Sequence, residues 1–163
     1  MKTKTLLSLT ALALCASSAS AASYVGGSVG SGLTAHYQYD TAKDAALRFG
    51  LNLTAVGFNF NTLTLGVGAD YLKNFGSVAG LNDLNPYYGF GLDAGLGLGG
   101  VNYVALYPHG LVGAKYNLAA SPISIFGELN AGPAFAVGST LGVNVRAFSF
   151  GIGARLGLNY KLN

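Results

Sequence analysis

From about residue 24 onward, apolar residues occupy nearly every second position of the chain. In the final stretch, Phe148, Phe150, Ile152, Ala154, Leu156, Leu158, Tyr160 and Leu162 share one parity. Ser149, Gly151, Gly153, Arg155, Gly157, Asn159 and Lys161 share the other. Side chains of a β-strand alternate between its two faces, so this period separates a greasy face from a polar one.

The same alternation predicts further strands upstream. A first strand runs from Tyr24 to Asp40, with Val25, Val29, Leu33, Ala35, Tyr37 and Tyr39 on one face and Ser28, Thr34, His36 and Gln38 on the other. After a polar connection to Asp44, Leu47, Phe49, Leu51 and Leu53 alternate with Arg48, Asn52 and Thr54. A turn over Gly57 to Asn61 leads to a strand with Leu63, Leu65, Val67, Ala69 and Tyr71 out and Asp70 in. Lys73 to Asn85 is the longest polar, glycine-containing stretch and the best candidate for an exposed loop.

Beyond it, Tyr88, Phe90, Leu92, Ala94, Leu96 and Leu98 alternate with glycines and Asp93. After Gly99-Gly100, Val104, Leu106, Val112, Ala114 and Tyr116 face out, with Tyr103, Tyr107, His109 and Lys115 in. A short turn at Ala119 to Pro122 precedes Ile123, Ile125, Leu129, Ala131 and Phe135, alternating with Glu128 and Asn130. The segment 138–147 breaks the phase: Leu141, Val143 and Val145 are apolar on odd positions, and Phe148 onward on even ones. A slip near Arg146-Ala147 is a turn or a bulge, because a one-residue shift exchanges the faces. A turn gives eight strands and a bulge seven; bacterial barrels normally have an even number, so eight is the expected count.

Charge decides which face is outside. Arg48, Asp70, Asp93, Lys115, Glu128, Arg155 and Lys161 lie inside the predicted strands, all in the phase opposite the Leu, Phe and Tyr runs. Only 9% of the chain is charged and its mean hydropathy is +0.43. A water-soluble barrel needs a charged exterior, which this chain lacks. An Arg or Lys facing mid-bilayer lipid costs roughly 2–4 kcal/mol, so the charges belong in the lumen. The fold class is therefore all-β, a transmembrane antiparallel up-and-down barrel with lipid outside. An interior bounded by eight strands is just wide enough for its own side chains. Arg48, Lys115, Arg155 and Lys161 nearly balance Asp70, Asp93 and Glu128, as a packed ion-pair network plugging the lumen requires. His109 joins this expected polar network.

The N-terminus adds a compartment. Lys2 and Lys4, the apolar run Leu6 to Ala16 and Ala19-Ser20-Ala21 form a secretory signal pattern with cleavage expected after Ala21. Residues 1–21 are then a signal peptide and 22–163 the barrel. Cleavage removes Cys15, the only cysteine. It also removes two of nine basic residues, leaving seven Lys and Arg against six Asp and Glu. No basic stripe points to nucleic acid.

Other chemistry is weakly represented. Gly95 to Gly100 lacks dinucleotide or P-loop spacing. His36 and His109 have no second ligand at metal spacing, and Asp93 and Glu128 serve better as counter-ions than as an acid–base pair. No metal, cofactor or catalytic residue is expected.

The chain resembles the small outer-membrane β-barrels of diderm bacteria, the OmpX-like and opacity-type proteins, and does so as a pattern over all of 22–163. The sharpest piece is the last strand, where Arg155-x-Gly157-x-x-Tyr160-x-Leu162 matches the family's polar-x-Gly-x-x-apolar-x-apolar assembly signal. Many members end on an aromatic residue, whereas this chain ends at Asn163. The resemblance implies outer-membrane lipid and the barrel-assembly machinery as partners. The expected role is non-enzymatic, structural or surface-interacting, with a narrow porin-like channel as the alternative. A lipid-A-modifying enzyme is the lesser alternative, since neither histidine has an adjacent nucleophile.

Overall fold

A computed structural model describes residues 22–55, 62–76, 83–99, 102–140 and 143–162. The expected signal segment 1–21 and the expected turn at Gly57–Asn61 lie outside them. The strands are β1 (Ser23–Val29), β2 (Leu33–Ala42), β3 (Ala45–Ala55), β4 (Thr62–Asn74), β5 (Leu84–Gly99), β6 (Asn102–Asn117), β7 (Ile123–Thr140) and β8 (Val143–Lys161). Each pairs antiparallel with the next, and β8 pairs back onto β1, closing an eight-stranded up-and-down barrel.

Eight is the expected number, reached by a different division. The stretch from Tyr24 to Asp40 is two strands, not one, turning at Gly30-Ser31-Gly32. Conversely, β8 is continuous through Arg146 and Ala147, with neither turn nor bulge there. Its register with β7 runs unbroken from Thr140↔Val143 to Ile123↔Tyr160. The exchange of faces falls between Thr140 and Val143, which pair with each other. Arg146 therefore shares the outward phase with Phe148 and is exposed. The polar stretch Lys73–Asn85 is also shorter than expected as a loop: Lys73 and Asn74 end β4, and Leu84 and Asn85 begin β5. This connection lies on the rim that carries both ends of the barrel, as an even strand number requires.

The alternation places apolar side chains outside. Ile152 is 80% exposed and Phe148 70%, while Arg48 is 3% exposed and Glu128 4%. This is a globular protein turned inside out, and hydrocarbon is the solvent that stabilises it. Backbone groups in hydrocarbon must be paired within the wall, and closing β8 onto β1 supplies partners that the edges of an open sheet would lack. Outward Tyr37, Tyr88, Tyr116 and Tyr160 sit toward the rim with the chain ends, where amphipathic rings favour the headgroup zone.

The stagger of the barrel follows from the register. From Val29, successive partners are Leu33, Leu53, Leu65, Leu96, Val104, Val137 and Arg146. In the other direction Val29 pairs directly with Leu156, ten positions further along β8. This shear tilts the strands. Residues 143–155 of β8 accordingly pair with β7 alone among the described residues.

Besides a register shift between Asp40 and Ala42 in the β2–β3 pair, one ladder is interrupted among the described residues. The β6–β7 ladder stops after Leu106↔Phe135 and resumes in the same register at Gly110↔Ala131. Midway in this gap, Pro108 and Pro133 stand opposite each other, and neither has an N–H to give the ladder.

Candidate functional site

The lumen is organised around two cross-strand ion pairs. Arg48 on β3 is the register partner of Asp70 on β4, and Glu128 on β7 is that of Arg155 on β8. Partners directly opposite in an antiparallel pair bring their side chains together on one face. Here that face is the lumen, and the two pairs meet across it.

Arg48 donates from Nη2 to Asp70 Oδ2 at 2.7 Å and from Nε to the same oxygen at 2.9 Å. Its Nη2 also lies 2.9 Å from Glu128 Oε2. Arg155 donates from Nη2 to Asp70 Oδ2 at 3.0 Å and from Nε to Glu128 Oε1. Each guanidinium thus touches both carboxylates, and each carboxylate both guanidiniums. Tyr87 on β5 donates its hydroxyl proton to Glu128 Oε2 at 2.9 Å. His109 on β6 brings Nε2 to 3.2 Å from Asp70 Oδ1, without the alignment of a hydrogen bond, and Nδ1 to 3.1 Å from the Tyr107 carbonyl. Six of the eight strands meet in this one cluster. An isolated buried charge would be expensive; a closed set of charge-assisted hydrogen bonds is the arrangement that keeps the cost low.

Toward the rim with the chain ends, the lumen is stopped by apolar packing. Ala46, Leu72, Tyr87 and Leu111 form a buried cluster. Phe126 is 1% exposed, lies under the Arg48 guanidinium at 5.6 Å and meets the His36 ring edge-on at 5.7 Å. His36 in turn shares a 2.6 Å hydrogen bond with Asn159. Glycines make room for these groups. A Cβ at Gly157 would fall 2.5 Å from Phe126 Cζ, and one at Gly91 would collide with Asp70 Oδ1. The residual space on this side is about 20 Å³.

On the other side of the cluster the lumen widens into a cup of about 230 Å³, whose wall includes the β1–β2 connection Gly30–Gly32. Asp93 lines it, accepting from Asn52 Nδ2 at 3.2 Å, with His109 Nδ1 3.9 Å away.

Of the residues expected in the lumen network, Arg48, Asp70, Glu128 and Arg155 come together, His109 borders them and Asp93 stands above. Lys115 and Lys161 lie apart: Lys115 Nζ sits 5.3 Å over the Tyr24 ring, and Lys161 is exposed at the end of β8. Sequence reasoning missed Tyr87, Leu72, Leu111 and Phe126. Tyr87 carried a usable signal, since it takes the phase opposite the outward Tyr88. Of the assembly-signal residues, Tyr160 and Leu162 are exposed, Gly157 faces Phe126, and Arg155 belongs to the cluster.

No protein-family model and no curated protein matches the chain. Among solved structures it is similar to a major outer membrane protein from Thermus thermophilus, with a TM-score of 0.55 and 14% identity, covering 88% of this chain and 100% of that one. The fold is that of an eight-stranded outer-membrane β-barrel. A further match is CarO of Acinetobacter baumannii, at a TM-score of 0.40 and 12% identity, covering 85% of this chain and 96% of that one.

Proposed function

We propose that the protein is a non-enzymatic barrel of the outer membrane, with a structural or surface-interaction role and a lumen stopped by its own side chains. The observation that carries this reading is the pair of seals in series: the Arg48–Asp70–Glu128–Arg155 cluster and, behind it, Leu72, Tyr87, Leu111 and Phe126. A hydrated ion crossing the barrel would have to displace both. Both histidines are engaged inside the lumen, His36 with Asn159 and His109 between Asp70 and the Tyr107 carbonyl, which supports a non-enzymatic role over lipid-A modification.

The export pattern of residues 1–21, the apolar exterior and the Arg155-x-Gly157-x-x-Tyr160-x-Leu162 segment support outer-membrane lipid and the barrel-assembly machinery as partners. The same segment favours affiliation with the OmpX-like and opacity-type group. Insertion from the periplasmic side leaves the two charged chain ends on that side, since their transfer through hydrocarbon is costly. In this orientation the β4–β5 connection faces the periplasm, and Gly30–Gly32 and the cup face the cell exterior.

Planar-bilayer recording on the purified mature barrel tests the reading. No large, steady conductance is expected. A reproducible open level would favour the narrow-channel alternative, and a lipid-A mass shift on expression would favour the enzyme.

A further inference from the structure

The cup above the charge cluster has an unbalanced wall. In the floor, Arg48 and Arg155 cancel Asp70 and Glu128, and all four are held by one another. Asp93 is a second-tier carboxylate with no guanidinium or ammonium within 4.0 Å among the described residues. Its nearest basic group, His109, stands 3.9 Å away and turns its other nitrogen to Asp70 at 3.2 Å. Asn52 gives Asp93 one hydrogen bond from its amide while accepting another from Thr34 at 2.8 Å. Arg155 also reaches the wall, with its guanidinium engaged by Asp70 and Glu128. The remaining polar groups are neutral, among them Thr64, which shares a 2.6 Å hydrogen bond with Tyr103, and Tyr107 and Asn130, hydrogen-bonded to each other at 2.9 Å.

Such a cup discriminates by charge. An anion meets Asp93, while the Arg155 guanidinium in the same wall is already engaged by Asp70 and Glu128. A neutral alcohol gains hydrogen bonds but no Coulomb attraction. A small cation gains both, and the attraction is stronger in a lumen walled by protein and lipid than in bulk water. An ammonium also brings three donors to a wall whose hydroxyl and amide oxygens each have a second lone pair to accept with. A volume of about 230 Å³ gives room for a compact ligand beside Asp93. We propose that this cup is a binding site for a compact protonated primary amine, with Asp93 as its counter-ion and the neutral amides and hydroxyls around it as hydrogen-bond partners.

The test is an NMR titration of the ¹⁵N-labelled mature barrel in zwitterionic micelles with ethylammonium chloride, against propanol and sodium chloride. Saturable shifts are expected at the amides of Asn52, Thr64, Asp93 and Ala105, with Ala46 and Leu111 on the sealed side unmoved. Asp93→Asn should weaken the ethylammonium response about tenfold or more, and Asp44→Asn, in the exposed β2–β3 turn, should leave it unchanged. Shifts that never saturate, equal shifts with propanol, or an undiminished response in Asp93→Asn would each overturn the assignment. Should Asp93→Asn fail to fold, the comparison of ethylammonium with propanol on the unmodified barrel decides alone.

Discussion

Glu128 and Arg155 are direct register partners on β7 and β8, and their pair closes against Arg48 and Asp70 from the opposite wall. The cluster is therefore a cross-brace between two halves of the barrel as well as a plug. Removing one member leaves opposite charges buried without compensation. Glu128→Leu should cost about 3–5 kcal/mol in urea unfolding from lipid vesicles. Replacing all four members with apolar residues of similar volume should cost far less than that single change. A single variant as stable as the unmodified barrel would remove the cluster's bracing role.

The glycines of β5 and β6 offer a paired prediction. A methyl group at Gly91 would strike Asp70 Oδ1 and come within 2.9 Å of His109 Nε2, whereas at Gly110 it meets nothing within 4 Å. Gly91→Ala should therefore destabilise by about 1–3 kcal/mol through overpacking. Gly110→Ala should be neutral or slightly stabilising, since it only restricts the unfolded chain. Parallel denaturation curves of the two variants check this.

How far the fold could be read from sequence depends on parity. In antiparallel pairs such as Val29↔Leu33 the partners share parity, so the apolar rhythm passes through the Gly30–Gly32 turn unchanged and the turn is invisible to it. In the β7–β8 pair, partners such as Phe135 and Phe148 differ in parity. The faces are exchanged between Thr140 and Val143, but Val143 and Val145 keep the old apolar parity, so the rhythm itself breaks only near Phe148. The lumen charges were legible because a charged residue among alternating Leu and Phe has one tolerable side. The apolar seal was not, because Leu72, Leu111 and Phe126 in the polar phase look like irregularities until the strands are wrapped around one another.

Opening the seal should open the barrel. Tyr87→Ala combined with Phe126→Ala removes two large aromatic groups between the cluster and the nearby rim. Liposomes carrying this variant should release a small entrapped dye or ions faster than those with the unmodified barrel. Identical leak rates would place the barrier at the charge cluster alone.

The last strand separates assembly from folding. Tyr160 and Leu162 face outward, and Gly157 receives Phe126. Tyr160→Ala with Leu162→Ala should lower the amount of heat-modifiable barrel in cell membranes while refolding normally from urea into detergent. Gly157→Ala should fail in both settings, since its added methyl displaces Phe126. Normal cellular assembly of the double variant would remove the segment as a recognition signal.

Orientation can be tested with single cysteines. Ser31 lies in the β1–β2 connection and Asp44 in the β2–β3 turn, at opposite rims. In intact cells a membrane-impermeant maleimide should label Ser31→Cys, and should reach Asp44→Cys only after the outer membrane is breached.

The ten-position offset between Arg146 and Leu156 as seen from Val29 also limits how the protein can move. Strand number and offset together set the girth of a closed sheet, and both are integers. The tube cannot dilate by a little; it could widen only by breaking a complete row of inter-strand bonds and re-forming it in a new alignment. Whatever opens or closes within the wall of strands must therefore do so by rotation of side chains about fixed backbone posts.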